Sequence, residues 1–271
     1  MPRFDFHLHT HFSDGTLPPA DLIAKLSQEG VDFFAITDHD SMRAHIGLET
    51  AALKGMRIFP GVEINTNAVG ETLHILGFGR SLLNNAAFQE KLELFRESRR
   101  KRAGAIVDRL AALGVAITME DVDAHAKESI GRPNIADALR KKGVVETREE
   151  AFHRFLLKGK PGYAPPLGPE PKEAIGAIAQ AGGVAVLAHP GVAKINDERL
   201  AALVGMGLGG IEVYYPNHSP AQTRDYLAAA RKYGLHATCG SDYHGPASGR
   251  EEMIAFEFEE RDFSDFLEAI N

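Results

Sequence analysis

The sequence predicts an α/β protein: a barrel of (β/α) units with a small helical subdomain inserted into it. Three observations predict this. Seven short runs rich in β-branched and aromatic residues recur along the chain. Helical patterns of about ten residues or more separate most of them, the mark of βα units and a parallel sheet. The alternation then breaks between residues 85 and 165, where only helical patterns occur.

The strand runs are RFDFHLH (3–9), VDFFAIT (31–37), MRIFPGVEI (56–64), TLHILGF (72–78), VAVLAH (184–189), GIEVYY (210–215) and LHATCGSD (235–242). Helices are expected over 19–30, 43–55, 171–183, 197–207 and 220–234. Gly30, Gly55, Gly182 and Gly234 stand at their ends, where a left-handed residue closes a helix without strain. Seven strands covered by helices favour closure into a barrel one unit short of eight. An open doubly wound sheet is the alternative. In the interruption, helices are expected from Ala86 to Leu113, over MEDVDAHAK, over PNIADALRKKG and over REEAFHRFLLKG. The Pro-rich stretch 161–171 reads as the return linker. The domain reading is therefore a barrel from 1–84 and 166–271, with an insert over 85–165.

Bulk composition is that of a soluble globular protein. The chain has 271 residues, 44% hydrophobic and 25% charged, enough for one full core with an insert. No apolar run is long enough to span a bilayer, and the N-terminus lacks a secretory pattern. The single cysteine, Cys239, excludes an internal disulfide and makes a reducing, cytoplasmic setting the expectation. A net charge of −7 argues against general nucleic-acid binding. Residues 96–160 nevertheless hold 15 Lys/Arg against 10 Asp/Glu, a net of +5 that leaves −12 for the rest. RRKR (99–102) lies in this basic segment and reads as a solvated helix face, with steering of anions as the functional reading. No feature calls for an obligate protein partner.

Chemistry is concentrated at the strand ends. In HLHTHFSDG (7–15), strict alternation puts Asp5, His7 and His9 on one face of the first strand, opposite Phe4, Phe6 and Leu8. Two imidazoles two residues apart at a strand end suit one metal ion. The other strands add His39, Glu63, His74, His189, Asp242 and His244, and Asp14 follows the first. Barrel enzymes assemble their sites from such βα-loop residues. Nine imidazole and carboxylate candidates without a thiolate suit two or three ions of Mn, Zn or Fe, with a carboxylate such as Glu63 as bridge. Paired metals clamp an oxyanion and activate water near neutral pH.

HLHTHFSDG, ITDHD, GVEI, the lone His74, AHP and GSDYHG together resemble the PHP (polymerase and histidinol phosphatase) family of the amidohydrolase superfamily. The resemblance runs from residue 3 to about 245, with the motifs in family order. It implies a distorted (β/α)7 barrel, up to three divalent metals, most readily Mn, and phosphate-ester hydrolysis by a metal-bridging hydroxide. Carried over by motif, His7, His9, Glu63 and Asp242 hold one metal. Glu63 bridges to a second held by His74 and His189, and Asp14, His39 and His244 hold a third. His11 has no ligand role in this pattern. GRPNIADAL (131–139) is similar to the insert motif GRPHIA of a nucleotide-hydrolysing subgroup, with Asn134 in place of His. That subgroup acts on nucleoside 3′,5′-bisphosphates and on 5′-phosphorylated oligoribonucleotides.

The expected substrate is thus a small phosphorylated nucleotide, with the 3′-phosphate of a 3′,5′-bisphosphate favoured and short RNA as runner-up. Histidinol phosphate ranks third. A non-catalytic module and a C–N hydrolase are further alternatives. Glu63 and Asp242 would act at the metals. Arg132, in the basic insert, is the first choice for a phosphate contact, because its planar fork matches phosphate. Ser41 and Arg43 follow ITDHD and are candidates for a second phosphate. Asn134 is a candidate hydrogen-bonding residue for phosphate or ribose. Asn217 and His218 follow the sixth strand, with His218 as candidate general acid or phosphate contact.

Overall fold

The computed structural model describes residues 1–48, 53, 55–68, 71–125 and 127–271. Eight strands form one sheet: β1 (Arg3–Leu8), β2 (Phe33–Ile36), β3 (Arg57–Ala68), β4 (Glu71–Phe78), β5 (Val184–Leu187), β6 (Gly210–Tyr214), β7 (His236–Cys239) and β8 (Phe256–Glu257), in the order β7-β6-β5-β4-β3-β2-β1-β8. The sheet rolls into a nearly closed, distorted barrel. At the end of β1, Asp242 N donates to His7 O and His9 N donates to Tyr243 O, so the chain after β7 meets β1 directly. At the start of β1, the short β8 takes that edge instead, antiparallel, with Arg3 opposite Glu257.

Two features depart from the all-parallel expectation. β4 runs antiparallel to both β3 and β5. Its connection explains this: only two residues separate Ala68 from Glu71. Parallel neighbours need a crossover of about a dozen residues, whereas a hairpin needs two. The second departure is inside β1. Asp5 pairs with Phe34 but Leu8 with Ile36, so β1 carries one residue more than β2 over that interval. The shift breaks strict alternation. Phe4 and Phe6 pack with Phe59, Phe78 and Val186 in one cluster, while Leu8 packs with Leu22, Phe34 and Ile36 in another. The eighth strand is also additional to the seven expected.

The helices are α1 (Pro19–Gln28), α2 (Arg80–Asn84), α3 (Ala86–Ala112), α4 (Met119–Asp123), α5 (Arg132–Lys141), α6 (Arg148–Ala151), α7 (Pro171–Gln180), α8 (Asp197–Gly205), α9 (Pro220–Tyr233) and α10 (Ser264–Ala269). α6 runs on into a π turn, Phe152–Leu156. Within the helix expected over 43–55, the described residues form a 3-10 turn at Arg43–His45; residues 49–52 and 54 lie outside the described residues. Phe263, Phe266, Leu267 and Ile270, from α10 and its flanks, pack against Phe4 and Phe6 and fill the barrel at the start of β1.

The long helix α3 belongs to two cores. Phe88, Leu92 and Phe95 join the barrel cluster with Ile175 and Ile178 of α7. Farther along, Ala103, Ile106, Val107 and Leu110 join a separate cluster with Ile135, Leu139, Phe155 and Leu156. This one rigid element therefore fixes the helical layer against the barrel.

Candidate metal centre

The nine predicted ligand candidates converge at one mouth of the barrel. Their donor atoms form four overlapping groups: His9, Asp14, His39 and His244; His7, His9 and Glu63; His7, His189 and Asp242; Glu63, His74 and His189. All but His74 are buried, and His74 is nearly so. His11 is in none of these groups.

Glu63 is the hub. Its Oε2 lies 2.9 Å from His39 Nδ1, 3.1 Å from His9 Nε2 and 3.4 Å from His7 Nε2. Its Oε1 lies 2.6 Å from His74 Nδ1 and 3.3 Å from His189 Nε2. One carboxylate thus faces two separate sets of imidazoles, the geometry of a bridge. The antiparallel β3–β4 register makes this possible. Glu63 pairs with Leu76 and His74 with Asn65, so Glu63 and His74 are diagonal neighbours across the ladder.

The remaining ligand candidates are held by loops. The turn after β1 is tied down by Asp38, whose carboxylate accepts from Thr10 N, Thr10 Oγ1 and Ser13 Oγ. Asp14 then reaches His244 Nε2 at 3.2 Å and His39 Nε2 at 3.6 Å. His189 and Asp242 follow β5 and β7 with φ of 27° and 56°. Such left-handed backbone in non-glycine residues costs about 1–3 kcal/mol and clusters at functional sites. Gly240 is required by close approach: a Cβ there would lie 2.2 Å from His7 Cβ and 2.6 Å from Glu212 Oε1.

Charge balance in the cluster is set by its own members. Burial raises the Glu63 pKa, but His74, His39 and His7 outweigh it and hold the carboxyl well below its usual range. Asp242 behaves alike, with Arg250 and His7 outweighing burial. Burial lowers the His9 pKa, but Asp242, Glu63 and Asp14 outweigh it and hold it up at about 9. Burial and His9 together push His244 down to about 4. The fit to metal rests on a different observation. His7 Nε2, His9 Nε2, Asp14 Oδ1 and Asp242 Oδ1 are buried and have no hydrogen-bond partner. Buried polar atoms are rarely left so. Four of them aimed into one carboxylate–imidazole cluster fit a multinuclear divalent site.

Several supporting residues had no motif to mark them. Glu212 of β6 accepts from His7 Nδ1 at 2.9 Å and from His189 N at 2.7 Å, and so orients two ligand candidates. Its alternating position in GIEVYY was the available signal. Asn65 lies 2.8 Å from His39 Nδ1. Tyr215 and Arg250 both donate to Asp242.

A cavity of about 460 Å3 opens above the cluster. Asp14, His39, His74 and His244 line its floor, and Arg99, Arg102, Arg132 and Arg250 its sides. The basic run RRKR is therefore split. Arg99 and Arg102, one turn apart on α3, line the cavity, Arg99 held there by an ion pair with Asp40, whereas Arg100 pairs with Asp123 outside it.

The PHP domain profile matches residues 5–157. The chain belongs to the PHP domain family. It is 31% identical to the 3′,5′-nucleoside bisphosphate phosphatase of Chromobacterium violaceum over 260 residues, 93% of this chain and 91% of that one. It is 32% identical to the 5′-3′ exoribonuclease Rnm of Escherichia coli over 251 residues, 90% and 85% of the two chains. A solved structure from Bifidobacterium adolescentis, described as a candidate metal-dependent phosphoesterase, matches with a TM-score of 0.88 at 32% identity, covering 98% and 96%. This PHP protein is a metal-dependent phosphoesterase, a hydrolase of phosphate esters. Among the described residues no helix is long and apolar enough to cross a membrane.

The PHP fold places the expected substrate contacts unevenly. Arg132 lines the cavity at the start of α5, donates to Leu156 O and lies 5.3 Å from the Phe152 ring centre. Ser41 and Arg43 do not line it. Ser41 Oγ donates to Glu128 and accepts from Arg43 N, and Arg43 borders a separate depression with Met42 and Glu93. Asn134 is buried with its side chain fully engaged: Oδ1 accepts from Gly131 N, and Nδ2 donates to His125 O and Ser13 O. It staples α5 to the Asp14 turn, with both amide hydrogens already donated to the protein. Asn217 is exposed on the loop after β6. His218 accepts at Nε2 from Gly191 N, which requires its proton on Nδ1, where it donates to Val213 O. A neutral ring with both nitrogens engaged is a loop clamp, contrary to the general-acid expectation.

Proposed function

We propose that this phosphoesterase removes the 3′-phosphate of nucleoside 3′,5′-bisphosphates. One observation carries the reading: a single cavity joins the ligand cluster to arginines without acidic partners. Arg102 and Arg132 bond only to the backbone carbonyls of Ala164 and Leu156, and neither meets a carboxylate among the described residues. Burial, with repulsion from Arg132 and Arg99, pushes Arg102 down to about 10. Arg132 is lowered too, first by burial and then by Arg99 and Arg250. A crowded, partly dehydrated set of guanidiniums favours an anion. A substrate phosphate at the ligand cluster leaves these arginines free for a second phosphate on the same molecule.

In this reading His7, His9, Glu63 and Asp242 hold one divalent ion, Mn being favoured. His74 and His189 share Glu63 for a second, and Asp14, His39 and His244 hold a third. Bound ions would supply Lewis acidity to the scissile phosphate and an activated water. The protein's own part is orientation. Glu212 fixes the tautomer of His7 by taking its Nδ1 proton in a hydrogen bond, so that Nε2 faces the cluster. Arg132 and Arg102 fix the far phosphate, which sets the 3′-ester over the cluster.

A second reading, trimming of short 5′-phosphorylated RNA, is favoured by the likeness to the E. coli exoribonuclease. Products released by Mn-loaded enzyme, inorganic phosphate from the bisphosphate and mononucleotides from RNA, separate the two. Adenosine 3′,5′-bisphosphate should exceed 3′-AMP, 5′-AMP and histidinol phosphate, and a 5′-phosphorylated RNA pentamer should release mononucleotides slowly or not at all. If the pentamer outpaces the bisphosphate, the RNA reading replaces this one.

A further inference from the structure

The cavity above the ligand cluster has a rim of a different character from its floor. Phe152, Leu157, Pro166 and Leu167 give it an apolar stretch, beside the exposed polar side chains of Glu149 and His153. Leu157 and Leu167 are 36% and 48% exposed, so two large aliphatic side chains stay wet at one mouth. A lone exposed leucine needs no explanation, but two at the mouth of a charged cavity, beside an aromatic ring, mark a contact surface. The backbone supports this. Phe152–Leu156 is a π turn, a rare form that concentrates at functional sites, and Leu157 follows it in extended conformation. Both halves of the rim are tied to the arginines. The Arg132 guanidinium lies over the Phe152 ring and bonds Leu156 O; Arg102 bonds Ala164 O and lies 6.0 Å from the Tyr163 ring centre.

We propose that this rim, the π turn facing the Pro166–Leu167 segment, is a stacking shelf for the planar base of the substrate. The inference rests on the nucleotide reading above. A base has two apolar faces that aliphatic, aromatic and guanidinium surfaces all accept. With one phosphate on the ligand cluster and the other on Arg102 and Arg132, the base lies next to the arginines, where the apolar rim begins.

The test compares adenosine 3′,5′-bisphosphate with its abasic counterpart, methyl riboside 3,5-bisphosphate, on the metal-loaded enzyme. Stacking predicts a kcat/KM ratio of about tenfold or more in favour of the adenosine compound. The double variant Leu157→Ser, Leu167→Ser changes exposed residues, and its unchanged Tm would certify folding. It should lower that ratio about fivefold or more, through KM for the adenosine compound. Phe152→Leu, which keeps bulk but loses the ring face, should lower it in the same direction. Equal rates on the two substrates in the parent enzyme, or a ratio unmoved in both variants, would overturn the shelf while leaving the bisphosphate reading intact. Failure of both substrates beside good turnover of histidinol phosphate would overturn both.

Discussion

Arg250 donates from Nη1 to Oδ2 of Asp242 at 2.5 Å, and the Tyr215 hydroxyl donates to the same oxygen at 3.0 Å. The other oxygen, Oδ1, is left facing His7 Nε2, His9 Nε2 and His244 Nδ1 at 3.4–3.5 Å with no hydrogen bond of its own. The pair therefore turns Asp242 so that one oxygen is anchored and one is presented. Arg250 reaches this buried carboxylate from a side chain that is 47% exposed, so its replacement should not unfold the protein. Arg250→Gln loses a charge-assisted bond worth about 1.5–3 kcal/mol. The expected result is about a tenfold or larger fall in kcat with fewer metal ions per chain by elemental analysis, partly restored in Arg250→Lys. Full metal content and kcat in the Gln variant would remove Arg250 from this role.

Asp242 and Arg132 should fail in different ways. Asp242→Ala deletes a ligand candidate from the cluster centre and should abolish turnover. Activity within about tenfold of the parent would refute its assignment. Arg132→Ala should mainly raise KM for the 3′,5′-bisphosphate and leave KM for 3′-AMP, which lacks the second phosphate, nearly unchanged. Equal effects on the two substrates would move the second-phosphate site away from Arg132.

The cluster itself was legible because its chemistry admits few residue types. His7, His9, Glu63 and Asp242 could be picked out as imidazoles and carboxylates at strand ends without knowing how the strands pack. The direction of β4 was harder to read. Its one signal was the length of the Ala68–Glu71 connection, hidden when β3 is ended at Ile64 instead of being carried through INTNA. The register shift in β1 had no local signature at all, since which face Phe6 and Leu8 take depends on pairing with Phe34 and Ile36. Substrate contacts were least legible. Arg99, Arg102, Asn134 and His218 are ordinary polar residues whose roles are set by neighbours remote in sequence. Asp40, Ala164, Ser13 and Gly191 are the partners that settle them.

The His218 clamp makes a prediction opposite in kind. With Nδ1 donating to Val213 O and Nε2 accepting from Gly191 N, the ring joins the loops after β5 and β6. Gly191 leaves room for it: a Cβ there would lie 2.7 Å from His218 Cδ2. Burial lowers the ring's pKa, in keeping with the neutral form that Gly191 N requires. His218→Ala should therefore lower stability by about 1–3 kcal/mol, read by urea unfolding, because two backbone groups lose their partner. Its kcat should stay within about threefold of the parent, with the alkaline limb of the pH–rate profile unmoved. A loss of that limb would restore His218 as a proton donor.

Asp5 should make the metal-free protein less stable as pH rises. Its carboxylate is fully buried, accepting from Ser241 N, Ser241 Oγ and His7 N. Burial raises its pKa from an ordinary 3.8 to about 7, and those three bonds only partly offset the rise. Between these two values the folded state binds the proton and the unfolded state does not. Unfolding free energy therefore falls as pH climbs through that window, and the contribution is fully lost above about pH 7. Asp5→Asn keeps the shape and removes the titration. Urea unfolding of chelator-treated protein at pH 5 and pH 8 should show the parent losing about 2–3 kcal/mol more than the variant over that interval. Parallel losses in the two proteins would place the Asp5 carboxylate in its ionised form throughout, with Ser241 and His7 as sufficient compensation for its burial.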